Sequence, residues 1–206
     1  MNAGRKKLIG IFDDYYMEEF EIKFLEVNVP ELEEKLKAIG AEKVGEYDFH
    51  RAIFDYPDLR LFQNNAWIRL RTNGKETTLT FKQTIKDKKS TFLRDLGAKE
   101  IEVEVSDFKK TFILLQNIGL IVKREEKNRR IRYQKSAVVY DIDFWPQIPP
   151  YLEIEADSLA ETKRAAAELG LDGEKGLICS SGDIYIHYGI NVHDYKIVTF
   201  DKMAKK

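Results

Sequence analysis

Six short segments of this chain each place two like-signed charges on either side of a single apolar residue. They are Glu19-Phe20-Glu21, Arg69-Leu70-Arg71, Glu102-Val103-Glu104, Arg130-Ile131-Arg132, Asp141-Ile142-Asp143 and Glu153-Ile154-Glu155. Side chains on a strand alternate between faces, so in each segment both charges share one face and the apolar residues share the other. Like charges held that close repel by a few tenths of a kcal/mol or more unless something neutralises them. A penalty repeated in strand after strand points to a compensating ligand.

Two architectures accommodate the pattern. One is a set of sheets with a dry face and a solvated face, the common origin of alternation in antiparallel structure. The other is a sheet curled so that its charged faces converge while its apolar faces look outward to helices, the inverse of the usual small barrel. The absence of a Thr/Ser/Gln mixture on these faces favours the second, so an α+β fold with a charged lumen and amphipathic helices packed outside is expected.

The helices are legible. Pro30 to Ile39 carries Leu32, Leu36 and Ile39 on one face, with Pro30 in the first turn and Gly40 as the stop. Asp107 is a plausible N-cap for a run with Phe108, Phe112, Leu115 and Ile118 as its apolar stripe, ending at Gly119. Asp157 or Ser158 caps a third run through Leu169 to Gly170. Further strands are expected over Phe49 to Tyr56, Ala66 to Arg71, Thr77 to Gln83, Arg129 to Gln134 and Ala137 to Phe144, with Asn73-Gly74 as a hairpin turn. Ser180 to Asp183 reads as a helix start for Ile184 to Tyr188, and Tyr195 to Phe200 as a late strand or docked tail. One domain over residues 1–206 is expected, its core at about 17–190, with 191–206 as a tail or tunnel plug.

The 34 Lys+Arg against 35 Asp+Glu leave no basic excess to displace counterions from nucleic acid, so no nucleic-acid partner is expected. No apolar run approaches the roughly 20 residues of a membrane span, and the apolar stretch near the N-terminus is too short for a signal peptide. A single cysteine, Cys179, suits a reducing, cytoplasmic setting. It has no evident activator as a nucleophile, and His50, His187 and His193 form no zinc spacing with it. Gly173 and Gly176 lack the Gly-Lys-Ser/Thr ending of a P-loop.

A converging lumen would hold an acidic group (Glu19, Glu21, Glu102, Glu104, Asp141, Asp143, Glu153, Glu155) and a basic group (Lys23, Arg69, Arg71, Lys82, Arg130, Arg132). Confined carboxylates call for a hard cation such as Mg²⁺ or Mn²⁺. Confined guanidiniums call for an anion whose oxygens match their forks. A metal–triphosphate complex satisfies both.

These residues, in this order, resemble the CYTH superfamily, the triphosphate tunnel metalloenzymes. Glu19-Phe20-Glu21-Ile22-Lys23 is similar to its Glu-x-Glu-x-Lys signature, and Trp67 to Arg71 to its Arg-x-Arg strand. Thr80-Phe81-Lys82, Glu100 to Val105, Asp141 to Asp143 and Tyr151 to Glu155 continue in family order. The resemblance implies an eight-stranded antiparallel tunnel with metal on Glu19, Glu21, Glu153 and Glu155, joined by Asp143. It implies a triphosphate (nucleotide, thiamine triphosphate or tripolyphosphate) on Lys23, Arg69, Arg71, Lys82, Arg130 and Arg132, with Lys23, Lys82 and Arg132 nearest the chemistry, and a homodimer, as is frequent in the family. Hydrolysis of the terminal phosphate is the leading expectation. The alternatives are conversion of ATP to cyclic AMP and pyrophosphate, with Tyr47, Phe49, Tyr56 or Tyr185 stacking the base, and non-catalytic polyphosphate binding. The Lys86 to Lys89 cluster is a solvated loop or a lid.

Overall fold

The computed structural model describes residues 17–86 and 95–206; the Lys86 to Lys89 cluster therefore lies, but for the backbone of Lys86, outside the described residues. Eight strands form the body: β1 (Met17–Phe24), β2 (Glu42–Asp55), β3 (Ala66–Thr72), β4 (Thr77–Lys86), β5 (Asp95–Glu104), β6 (Ile121–Lys135), β7 (Val138–Phe144) and β8 (Tyr151–Ala156). They pair antiparallel in the order β6-β2-β3-β4-β5-β1-β8-β7, and β7 pairs back onto β6, so each strand has two neighbours and the ring of pairings closes. This is the antiparallel tunnel with helices outside that the charge pattern predicts.

The apolar faces turn outward. Helices α1 (Val29–Ala38) and α4 (Leu159–Glu168) lie over the outer side of β1, β7 and β8, where Leu32, Leu36, Ala165, Ala166 and Leu169 pack on Ile22, Ile142, Leu152 and Ile154. Helix α3 (Phe108–Asn117) covers β2 and β3 through Phe108, Phe112 and Leu115 on Ala52, Phe54 and Leu70. Asp107 and Ser158, both read from the sequence as candidate caps, accept free N–H groups at the starts of α3 and α4. Asn28, which that reading leaves unnamed, does the same for α1, and Gly40 follows α1 at φ +81°, a conformation that costs glycine least. Asp157 is not the cap.

Two strands are longer than alternation suggests. β2 starts at Glu42 rather than Phe49, and β6 at Ile121 rather than Arg129. The stretch Arg124 to Arg129, which the sequence reading assigns to no element before Arg129, pairs residue by residue with β2. A bulge interrupts that pairing: Ile53 pairs with Arg124 but Phe54 with Val122, which leaves Lys123 as the extra residue.

After β8 the chain forms a short helix α5 (Ser181–His187), a 3-10 turn at Val192–Asp194, and strands β9 (Tyr195–Val198) and β10 (Met203–Lys205). Ser180 and Asp183 make a reciprocal capping box at the start of α5. β9 pairs parallel with β6 at Glu125 and Glu126, below the stretch where β7 takes the same edge. Another short helix, α2 (Arg60–Gln63), is held by Asp55, whose carboxylate accepts the N–H groups of Tyr56, Leu61 and Phe62 at 2.7, 3.0 and 3.0 Å. No helix among the described residues is long and apolar enough to cross a membrane.

If the outer layer holds the ring closed, Leu36→Ala should cost about 3 kcal/mol, since Leu36 is fully buried between α1 and the sheet. Urea denaturation reads this directly; a loss under about 1 kcal/mol would show that α1 contributes little to the closed sheet.

Candidate functional site

The inward faces enclose a cavity of about 390 Å³. Its lining is sorted by strand. β6, β2, β3 and β4 are consecutive in the ring and contribute Lys123, Arg124, Arg130, Arg132, Arg51, Arg69, Arg71 and Lys82. β5, β1, β8 and β7 complete the ring and contribute Glu100, Glu102, Glu21, Glu153, Glu155 and Asp143. One wall is basic and the other acidic, with Glu126 and Lys23 as the exceptions.

Ion pairs stitch the two seams where the walls meet. At the β6–β7 seam Arg130 donates to Asp143 from Nε at 2.8 Å and from Nη2 at 2.5 Å, and also bonds Asp141. Arg132 donates to both oxygens of Asp141 at 2.8 and 2.6 Å. At the β4–β5 seam Lys82 lies 3.1 Å from Glu100, and Arg69 lies within 3.3 Å of Glu100 and Glu102. Glu102 also accepts from Thr80 Oγ1 at 2.6 Å.

Away from the seams, like charges face one another. In the β2–β3 register Arg51 stands directly opposite Arg71. In the β1–β8 register Glu21 stands directly opposite Glu155. Directly opposed like charges destabilise a sheet. Lys23 lowers the cost on the acidic side, its Nζ lying 2.6 Å from Glu21 and 3.0 Å from Glu153. Burial disfavours its charge, but Glu153 and Glu21 outweigh burial and hold the ammonium above its ordinary range.

Relief at Arg51 is weaker, because Asp143 and Glu126 favour its charge without offsetting burial and the neighbouring arginines. Arg51 is 6% exposed, and its Nε and Nη2 are buried with no hydrogen-bond partner. Its guanidinium rests on Trp145 and Phe49, 4.8 and 5.5 Å from the ring centroids. Burial, followed by the charges of Arg69 and Arg130, pulls it down to about 10, and burial with Arg69 and Arg51 pulls Arg71 down to about 9. A guanidinium does not give up its proton in a protein, so this pull amounts to a demand for an anion.

Of the residues singled out by sequence, Glu21, Lys23, Arg69, Arg71, Lys82, Glu102, Arg130, Arg132, Asp143, Glu153 and Glu155 all line the cavity. Asp141 does not: it is buried beneath Arg130 and Arg132. Glu104 lies at the exposed end of β5, outside the lining. Glu19 is on β1, but its side chain is outside the described residues. Tyr185 is no base-stacking residue; it is buried against Trp145 and donates to the Pro146 carbonyl at 2.8 Å. Tyr56 is covered by the Arg60 guanidinium at 4.3 Å. Tyr47 and Phe49 stack on each other at 5.7 Å.

The cavity also contains charged residues that the pattern leaves unmarked, Arg51, Lys123, Arg124 and Glu126, together with Glu100, which extends the Glu102-Val103-Glu104 segment by the same spacing. Arg51 has no like-charged neighbour two positions away. Lys123 and Arg124 both reach the lumen because the bulge breaks alternation.

The acidic wall suits a hard divalent cation in its chemistry, since Glu21, Glu153 and Glu155 offer only carboxylate oxygens from adjacent strands. Asp143 fits less well, because Arg130 and Asn128 already occupy its oxygens. Among the described residues no group of three or more His, Cys, Asp or Glu is arranged to hold a metal.

A family model of the CYTH domain matches residues 17–179. The chain belongs to the CYTH family. No curated protein matches it in sequence. Solved structures share the fold. A Pyrococcus horikoshii protein is 23% identical with a TM-score of 0.63, over 78% of this chain and 94% of its own. An adenylate cyclase candidate from Vibrio parahaemolyticus is 16% identical with a TM-score of 0.68, over 82% and 98%. A Hippeastrum adenylyl cyclase candidate with a dominant triphosphatase activity is 15% identical with a TM-score of 0.56, over 84% and 97%. At these identities the likeness is one of fold, and the CYTH tunnel of this chain rests on its own residues for function.

Glu153 yields a pH prediction. Burial favours its neutral form, but Lys23 and Arg130 outweigh that and hold the carboxylate well below its usual range. A depressed folded value contributes stability above the unfolded value of about 4.3, and that contribution is lost as pH falls below it. Wild type should therefore exceed Glu153→Gln in urea stability at pH 7 by about 3 kcal/mol, and the gap should shrink below about pH 4. A gap independent of pH would remove Glu153 from the ion-pair network.

Proposed function

We propose that the CYTH tunnel binds a triphosphate along its basic wall and hydrolyses the terminal phosphate with a divalent cation held on its acidic wall. The observation that carries this reading is Arg51, a buried guanidinium with unfilled donors directly opposite a second arginine. Leaving such a group unsatisfied costs stability, and a bound anion repays it.

Arg51, Arg69, Arg71 and Arg130 border one cavity and present donors from three strands. Guanidinium forks match phosphate oxygens and keep their charge throughout, so these residues bind the chain of phosphates and stabilise charge that develops as the terminal bond breaks. Lys82 and Arg132, at the two seams, extend the same wall. Lys23 keeps its proton, which suits it to charge stabilisation and ordering of the carboxylates rather than proton abstraction. Glu21 and Glu155, with Glu153, are the groups that would hold Mg²⁺ or Mn²⁺. Bound there, such an ion would supply charge neutralisation for phosphate oxygens and a lowered pKa for an attacking water.

Cyclisation of a nucleotide needs a clamp for the base. Tyr185 is buried, and Phe49 already carries the Arg71 guanidinium at 4.8 Å. Those two facts favour hydrolysis.

Purified protein with Mg²⁺ or Mn²⁺ should release orthophosphate from tripolyphosphate or ATP and stop when EDTA is added. Cyclic AMP and pyrophosphate from ATP would instead establish the cyclase reading, and absence of both products with either cation would leave a binding module. Arg51→Met should give two shifts of opposite sign. Turnover should fall on the order of 100-fold, while the unliganded protein gains about 1 kcal/mol or more, because an apolar side chain replaces an unpaired buried charge. A variant that is both stable and fully active would remove Arg51 from the site.

A further inference from the structure

The family match stops at residue 179, and the chain beyond it builds most of a second small core against one side of the tunnel. Trp145, which directly follows β7, is buried in that core with Ile148, Ile184, Tyr185, Val192 and Val198. Two links fasten the core to the ring. Val198 of β9 pairs with Glu126 of β6, and Tyr185 of α5 donates from Oη to the carbonyl of Pro146, the residue after Trp145, at 2.8 Å.

Trp145 is where this core meets a lumen arginine. The Tyr185 ring stands at 89° to the indole, with centroids 6.2 Å apart. The Arg51 guanidinium lies over the indole, 4.8 Å from its centroid. Phe49 is a looser neighbour of Arg51 at 5.5 Å, and it is shared with Arg71 at 4.8 Å. Trp145 itself is 4% exposed and lines the cavity.

The surroundings of Arg51 give that contact a purpose. Across β2 and β6, Arg51 stands opposite Glu126, a carboxylate that could neutralise it. Glu126 instead accepts from Arg124 Nε at 2.5 Å, and Arg51 keeps Nε and Nη2 buried and unpaired. A guanidinium stacked on an aromatic face has its plane fixed by the ring, and its donors point outward within that plane. An indole packed on one side also keeps water from that side. The arginine is thus held in its unsatisfied state rather than relaxed onto the carboxylate across the strand.

We propose that Trp145 is a positioning residue for phosphate recognition, a shelf that holds the Arg51 guanidinium in the lumen, and that Tyr185 braces it from behind. The chain beyond the family match then supports the site without touching the substrate. The inference rests on the triphosphate reading above and adds to it a residue through which Arg51 is held.

Calorimetric titration of the full chain with inorganic tripolyphosphate tests it, in EDTA and again with Mg²⁺ in the cold. Trp145→Leu should weaken binding about tenfold, and Tyr185→Leu should weaken it in the same direction by less. Trp145→Phe keeps an aromatic face and should stay within about threefold of wild type. The deciding measurement is the double-mutant cycle with Arg51→Met. Once Arg51 is gone, Trp145→Leu should change affinity by less than about twofold, because the group it acts through is missing. The same loss with and without Arg51 would make Trp145 a packing residue, and full affinity in Trp145→Leu would dismiss the shelf. Either result overturns the inference and leaves the triphosphate reading intact. Fluorescence decides the matter if Trp145→Leu fails to fold, since Trp67 and Trp145 are the chain's two tryptophans. Saturating wild type with tripolyphosphate should change its emission, and most of that change should be missing from Trp145→Phe. Equal changes in the two proteins, or none in wild type, would overturn the inference. Failure of wild type to bind under both conditions removes the triphosphate reading and the role of Trp145 together.

Discussion

The structure turns on two pairs of like charges that its own hydrogen-bond register forces together. Arg51 faces Arg71 on one wall, and Glu21 faces Glu155 on the other. A sheet free to choose would put opposite charges, or none, at such positions. Here the closed ring fixes them, because sliding either strand by one residue would turn the apolar face of β1 or β3 into the lumen and strip α1, α4 or α3 of their contacts. Register, and hence the internal repulsion, is set by what lies outside the ring.

That division of labour explains how so charged an interior persists. Stability comes from the outer layer, where Leu36, Ile142, Leu152 and Ile154 are fully buried under helices. The seams contribute in a different way. Arg130 with Asp143, and Lys82 with Glu100, join a basic strand to an acidic one at each place where the walls meet. Buried ion pairs of this sort add little net stability against the cost of desolvation, but removing one member is expensive. They act as fixed stitches that hold the two walls apart in charge and together in space. The residual imbalance then collects in the middle of each wall, where a ligand can reach it.

How much of this is legible in the sequence depends on whether a residue advertises itself by repetition. Glu153 and Glu155, or Arg69 and Arg71, do so, because charge-apolar-charge has one natural meaning on a strand. Arg51 does not. It is the sole charge on the lumen face between Phe49 and Ile53, and only the pairing with Arg71 shows what it is for. Lys123 and Arg124 are hidden for another reason: strict alternation assigns adjacent residues to opposite faces, and a single bulge cancels the rule. In the other direction, the pattern is too generous to Glu104 and Asp141. Both obey the alternation, but Glu104 lies at the open end of its strand, and Asp141 is buried under the arginines it orients. Tyr185 shows the limit of composition alone, since a tyrosine near the end of a chain serves as readily for core packing as for a rim.

The segregation of charge carries a consequence for how the proposed ligands bind. A cation on the acidic wall and a polyphosphate on the basic wall share one cavity, and their charges are opposite. Each one lowers the field that makes the other necessary. Binding of the first therefore raises the affinity for the second, and by linkage the second raises the affinity for the first by the same factor. Lys23 sits at the point where this coupling is decided. Its ammonium lies between Glu21 and Glu153, where the proposed cation would sit. A divalent ion held there would compete with that contact, and the ammonium would then face the basic wall proposed to hold the phosphates. The residue that neutralises the acidic wall is thereby also placed to add a positive charge beside the proposed phosphate chain.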